Sequence, residues 1–322
     1  MGNIVMSASL SRRPGCARNG GRRLLLDQNR HAVQRAVHWF KREMAMKTID
    51  MKSLVGTEVV IDRDDFLSGK YSKEIEHLLV ERSALVFREM HLTKEEQLQF
   101  AATIGSPIAF GDSAVSNISL DPEVSTSAEY TRGAFYWHID GANDAVPAKA
   151  TMLTAKKLSD EGGDTLICNT YAAYADLPED EKARLDGLMV RHALEATQRM
   201  VRPDYSAKDL EIWRSRSSQT HPLVWHHKHG GSSLLIGGTA LYVHDMSFED
   251  SSMLLARLMD YATQEKYVYR HKWTVGDFLL WDNTGTIHRA DFYPLDSDRL
   301  MHRTTLHGEE PVTVGRMAVS NA

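Results

Sequence analysis

YVYRHKWTVGDFLLWDNTGTIHRADFYPLDSDRLMHRTTLH, residues 267–307, is a dense run of strand signals. β-branched and aromatic residues recur in short runs there, YVYRHKW, GDFLLWDN, IHRAD and MHRTTLH, and Gly, Asp, Asn and Pro separate them. Short apolar runs bounded by such turn formers read as strands. The same pattern extends backwards through HPLVWHH, SSLLIGG, DTLICNT, ATMLTAKKL and AFYWHID. Further upstream GTEVVIDR reads as a strand and ALVF as a short buried one. Helices lie between and before the strands. SKEIEHLLVER carries Ile75, Leu78 and Leu79 at helical spacing. Thr93 and Glu96 form a capping box that opens EEQLQFAATIG, and Gly105 stands where a C-cap belongs. PEDEKARLDGL starts with Pro178 and acids in its first turn, and SFEDSSMLLARLMDYATQ is a further helix. Residues 106–133 are irregular, as a loop over a site is, and residues 195–220 show no assignable element. Early helices followed by many short strands predict a mixed α+β fold, a jelly roll with helices packed outside.

The totals narrow the class. The chain has 322 residues and a formal charge of −5, with no basic surplus of the kind a nucleic-acid binder carries. No apolar run approaches the length of a membrane span. Two cysteines, Cys16 and Cys168, make no disulfide framework, which points to a reducing cytoplasm. Cys168 reads as a small buried residue. Residues 1–48 are rich in Arg and poor in acids, and read as an N-terminal extension that the fold does not need. Residues 49–322 read as a single catalytic domain.

The chemistry starts at His138-Ile139-Asp140. On a strand, residues i and i+2 share a face, so an H-x-D sets an imidazole beside a carboxylate. His288, after FLLW, offers a third ligand. Two histidines and one carboxylate leave the other positions of an octahedron open, the ligand set of non-haem Fe(II) oxygenases. A structural zinc would call for thiolates, and the chain has no cysteine cluster. Ligand type alone leaves a catalytic zinc hydrolase open. Arg299 and Arg303 follow, four residues apart and therefore on one strand face. Buried cations need anions, and the arginine fork matches a carboxylate. The far carboxylate of 2-oxoglutarate is one such anion. Surface pairing with Asp296, Asp298 or Glu309 is the alternative.

The stretches LVFREMHLTKEEQLQFAATIG, WHID, EGGDT, ATQEKYVYRHKWTVGDFLLWDN and IHRADFYPLDSDRLMHRTT resemble the taurine dioxygenase and 2,4-dichlorophenoxyacetate dioxygenase family. The resemblance spans roughly residues 55–312 and is closer to the aryloxyacetate branch. It implies a double-stranded β-helix, Fe(II) held by His138, Asp140 and His288, and 2-oxoglutarate and O₂ as co-substrates. Thr165 and Arg299 would hold the far carboxylate of 2-oxoglutarate. Arg303 would lie near the substrate's anion and the co-substrate. The family also implies a dimer or higher homo-oligomer and a small-molecule anionic substrate. The implied reaction hydroxylates that substrate while 2-oxoglutarate becomes succinate and CO₂. An ether carbon so attacked gives a hemiacetal, and the ether falls apart. Two departures bear on the substrate. FGDSAVSN lacks the His and Tyr of taurine-specific members, and Ala134 stands where their Asn is expected. Gly141-Ala142-Asn143 follows the H-x-D, placing a small residue beside the metal. Aryloxyalkanoates are thus the first expectation, and alkyl sulfonates or sulfates the second. Asp140 argues against a halogenase, which gives up its carboxylate ligand, and an intact triad argues against a non-catalytic sensor.

Two other groups stand out. His226, His227 and His229 read as a surface cluster near a turn. Trp281, Asp282 and Asn283 read either as partners that orient His288 or as a core Trp with a turn-forming Asp-Asn.

Overall fold

A computed structural model describes residues 46–313. Residues 1–45, with Cys16, lie outside them. The strands in chain order are β1 (Lys47–Asp50), β2 (Thr57–Val60), β3 (Ala84–Phe87), β4 (Ser116–Ile118), β5 (Ala150–Lys157), β6 (Thr165–Asn169), β7 (Met189–Ala193) and β8 (Ser218–Pro222), then β9 (Val224–His226), β10 (Ser232–Leu234), β11 (Ala240–Val243), β12 (Val268–His271), β13 (Phe278–Asp282), β14 (Thr286–Ala290) and β15 (Leu300–Thr305). The largest sheet runs β1-β2-β3-β13-β5-β15-β4, and a second runs β12-β6-β14. Two smaller sheets, β11-β7-β8 and β10-β9, complete the set among the described residues. The mixed architecture of many strands with helices outside is the one expected.

The run Phe278-Leu279-Leu280-Trp281 explains how the layers stack. It shows no polar alternation because both faces of β13 are covered. Phe278 and Leu280 face a cluster with Phe66, Phe87 and Phe100, which packs the helices Arg63–Leu67, Ser72–Arg82 and Lys94–Ile104 onto the large sheet. The Phe66 and Phe100 rings stack at 3.9 Å. Leu279 and Trp281 face the other way, against Ile167 of β6 and Tyr269 of β12. The two sheets therefore meet over that second cluster. Burial of each such side chain contributes about 1.5–3 kcal/mol.

The capping box at Thr93 and Glu96 is present, as is the helix Phe248–Ala262. Several expectations need correction. AFYWHID is not a strand: Arg132–Phe135 form a 3₁₀ turn, and His138 joins β14 through one bridge to His288. Gly133 allows this turn, since a Cβ there would stand 3.1 Å from Thr197. Residues 195–220 hold the helices Leu194–Val201 and Ala207–Arg214. The sheet begins at Lys47, because Lys47 and Thr48 pair with Val60 and Val59, so the folded region starts earlier than residue 49. His226 and His227 are buried rather than on the surface. His226 bonds Ser232 and Asp186 through its two ring nitrogens, and His227 bonds Ser233 through Nε2 while its Nδ1 is buried without a hydrogen-bond partner. Cys168 is free and buried, as expected.

Candidate metal and co-substrate site

The bridge between His138 and His288 sets the site. Each donates its backbone N–H to the other's carbonyl at 2.9 Å, which brings the rings to 4.2 Å between centroids. Asp140, two residues on, turns its carboxylate between them. Oδ1 lies 3.9 Å from His138 Nε2, and Oδ2 lies 3.7 Å from His288 Nε2. One donor atom from each residue falls within 4.8 Å of the others, and no other such cluster occurs among the described residues. The three residues that the sequence singles out as ligands are thus together.

Their protonation suits a cation. Burial would raise the Asp140 carboxyl, but His288, Arg303, His138 and a hydrogen bond from Thr151 outweigh it and hold it at about 2. Burial and the neighbouring His138 push His288 down to about 3, leaving its imidazole neutral. Arg303 is the cation among Asp140's neighbours that persists at neutral pH, with Nη1 3.9 Å from Oδ1. His138 Nδ1 sits 2.8 Å from the Tyr136 carbonyl. That carbonyl can only accept, so Nδ1 carries a proton, and Nε2 is the ring atom left to face a metal. A deprotonated carboxylate, the neutral His288 imidazole and the Nε2 of His138 on one cavity fit a divalent cation with open positions.

The cavity in front of the cluster has a volume of about 280 Å³. Its far wall carries Thr165, Tyr293 and Arg299. Arg299 is 3% exposed and donates from Nη2 to the Gly163 carbonyl at 3.1 Å. Its guanidinium lies 5.0 Å from the Tyr293 ring centre. No carboxylate stands within ion-pair distance of it among the described residues. The carboxylates that sequence offers as surface partners are otherwise engaged or distant: Asp298 pairs with Lys157 and Glu309 with Lys149. Thr165, buried in β6, accepts a hydrogen bond from Trp273 Nε1 at 3.0 Å, so its own proton is free to donate. The glycines of EGGDT make this closeness possible. Gly162 and Gly163 have φ of +65° and +78°, and a Cβ on Gly163 would press Arg299 Nε at 3.1 Å.

Arg303 lines the same cavity, from β15. A register shift in the β5–β15 pairing leaves the extra residue, Lys156, on β5, so β15 keeps its alternation. Arg303 Nε is buried without a hydrogen-bond partner. The segment 106–133 supplies Ile118, Tyr130 and Thr131 to the cavity wall, the place expected of a loop over a site.

The family description for taurine catabolism dioxygenases, TauD, TfdA family, matches residues 47–305. The chain belongs to this family. Among TauD/TfdA relatives, a 2,4-dichlorophenoxyacetate dioxygenase of Cupriavidus pinatubonensis is 35% identical over 266 residues, 76% of this chain and 91% of its own. An α-ketoglutarate-dependent sulfate ester dioxygenase of Pseudomonas putida is 32% identical over 253 residues, covering 74% and 82%. A crystal structure of AAD-2 in complex with Mn(II) and N-oxalylglycine superposes with a TM-score of 0.73 at 27% identity, over 84% of this chain and 100% of that one. This TauD/TfdA chain is a 2-oxoglutarate-dependent dioxygenase that uses Fe(II). No helix among its described residues is long and apolar enough to cross a membrane.

Sequence reasoning missed Thr151, Trp273 and Tyr293. Thr151 donates to Asp140 Oδ2 at 2.7 Å, Trp273 donates to Thr165, and Tyr293 faces Arg299. No motif marks them; they reach the site through strand pairing and loop closure.

Proposed function

We propose that this dioxygenase oxidises a small organic anion, with an aryloxyalkanoate as first candidate and an alkyl sulfate or sulfonate as second. His138, Asp140 and His288 would hold the iron, Arg299 and Thr165 the far carboxylate of 2-oxoglutarate, and Arg303 the anionic group of the substrate. Bound ferrous iron supplies O₂ activation and the coupled decarboxylation of 2-oxoglutarate to succinate. The observation that carries the reading is Arg299: a buried cation without a carboxylate partner, across one cavity from the three donors. Such a cation is costly unless an anion meets it. The Thr165 hydroxyl, its oxygen already engaged by Trp273, adds a donor for the same anion. N-oxalylglycine, bound in AAD-2, has the carboxylate spacing of 2-oxoglutarate and suits this wall.

Arg303 supports the anionic substrate. One far carboxylate needs one guanidinium, and Arg303 faces the cavity beside Asp140 with its Nε unsatisfied. The two substrate candidates follow the relatives, one named for a dichlorophenoxyacetate and one for a sulfate ester. Succinate formation should be faster with aryloxyalkanoic acids than with their methyl esters. In Arg303→Gln the advantage of the acids should shrink by about 1.5–3 kcal/mol, roughly ten- to a hundredfold in kcat/KM. Esters that couple as well as the acids, or an undisturbed ratio in the variant, would place the substrate among uncharged compounds.

The reading extends to architecture. The two facing sheets fit a double-stranded β-helix in one catalytic domain, and the family resemblance adds a homo-oligomeric assembly and a cytoplasmic location to the proposal. The family match begins at residue 47, and all the candidate site residues lie beyond it. A chain beginning at Met46 is therefore expected to fold and to keep its turnover. Inactive or insoluble protein from that start, beside a sound full-length chain, would show that the N-terminal residues belong to the fold.

A further inference from the structure

We propose that Trp281, Asn283 and Thr151 form a one-way hydrogen-bond relay that fixes the orientation of the Asp140 carboxylate by holding its Oδ2. The inference rests on the metal reading above and concerns three residues that are not themselves candidate metal ligands. Trp281 Nε1 lies 3.1 Å from Asn283 Oδ1, Asn283 Nδ2 lies 2.8 Å from Thr151 Oγ1, and Thr151 Oγ1 lies 2.7 Å from Asp140 Oδ2. Trp281, Asn283 and Thr151 are all buried. The expected link from this motif to His288 is only the Trp281 ring, which packs at 4.6 Å. The hydrogen bonds run instead to the carboxylate.

The direction follows from donor chemistry. An indole N–H can only donate, so the Asn283 atom facing it must be the carbonyl oxygen. The amide is thereby oriented, and its NH₂ faces Thr151. An amide NH₂ can only donate, so the Thr151 oxygen accepts. The threonine has one proton, and at 2.7 Å the Asp140 carboxylate takes it as a charge-assisted bond. Oδ2 is thus anchored, 3.7 Å from His288 Nε2, while Oδ1 faces His138 and Arg303. The sheet builds this device: Trp281 and Thr151 are register partners on β13 and β5. A carboxylate anchored in this way keeps its place beside both imidazoles, so a cation, and a 2-oxo acid that chelates it, meets donors already set. These three are positioning residues.

The test is Mn(II) titration of the full chain by electron paramagnetic resonance, followed by titration of the Mn(II)-loaded protein with N-oxalylglycine. Thr151→Val keeps shape and removes the proton. It is expected to weaken Mn(II) binding by about 10–100-fold and to weaken N-oxalylglycine as well, whereas Thr151→Ser stays within about threefold of wild type. Asn283→Asp preserves volume but cannot donate, so the Thr151 proton turns away from Asp140; this variant should reproduce Thr151→Val. Thermal unfolding of the metal-free variants separates loss of fold from loss of ligand orientation. Wild-type affinities for both probes in Thr151→Val, or in Asn283→Asp if the first does not fold, overturn the relay. So does a Thr151→Ser protein as weak as Thr151→Val. Failure of the wild type itself to bind Mn(II) overturns the metal reading, and the relay with it.

Discussion

Asp140→Ala is expected to bring succinate formation below detection, with or without an organic substrate. The carboxylate is the one anion in the cluster, and a facial triad has no spare ligand to replace it. What remains is two imidazoles beside the positive Arg303, which repels a cation that Asp140 now attracts. The loss in Fe(II) affinity should exceed the about 10–100-fold typical of an outer hydrogen bond, because a direct ligand is gone. The fold should bear the change. Thr151 loses its acceptor, but Thr305 Oγ1 stands 3.3 Å away and can take the proton. Metal-free Asp140→Ala should therefore melt cooperatively, as wild type does. An anaerobic Fe(II) titration and a succinate assay on the same preparation decide the matter. Retained turnover would remove Asp140 from the site.

Much of the chemistry was legible in the sequence because metals and carboxylates demand particular residue types. His138, Asp140, His288, Thr165, Arg299 and Arg303 all line one cavity. The strand pattern of residues 267–307 was equally legible, since both faces of β13 are apolar and turn formers bound each run. Local conformation was less so. The aromatic run before His138 looks extended, yet the chain passes from the short helix Ala128–Thr131 straight into a 3₁₀ turn over Arg132–Phe135. The H-x-D pair meets through its bridge to His288, not through strand alternation within a sheet. His226 and His227 looked exposed because a turn follows them, but both are buried, with Ser232 and Asp186 bonded to His226 and Ser233 to Nε2 of His227. Thr151 was beyond reach for a different reason. A buried threonine in an apolar run has no signal of its own, and its role depends on which strand lies opposite.

Arg299→Ala should raise the KM for 2-oxoglutarate most steeply of any change at the cavity's far wall. Truncating one partner of a buried charge pair costs about 2–5 kcal/mol, roughly thirty- to several-thousandfold in affinity. Arg299→Lys should fall between, because a point charge cannot reproduce a two-pronged contact and is more strongly hydrated. The effect on the protein without co-substrate should have the opposite sense. Burial already pulls the Arg299 pKa below its ordinary value, with Tyr293 as partial relief. Removing a buried cation that lacks a carboxylate partner takes away a desolvation penalty. The empty alanine variant should thus unfold at a temperature no lower than wild type, apart from the packing lost against Tyr293. A stabilising role would produce the reverse pattern, a lower melting temperature with KM unchanged. Measuring both on one preparation separates the two roles, since co-substrate should raise the melting temperature of wild type far more than that of Arg299→Ala. Equal KM values in wild type and both variants would mean that the far carboxylate binds elsewhere.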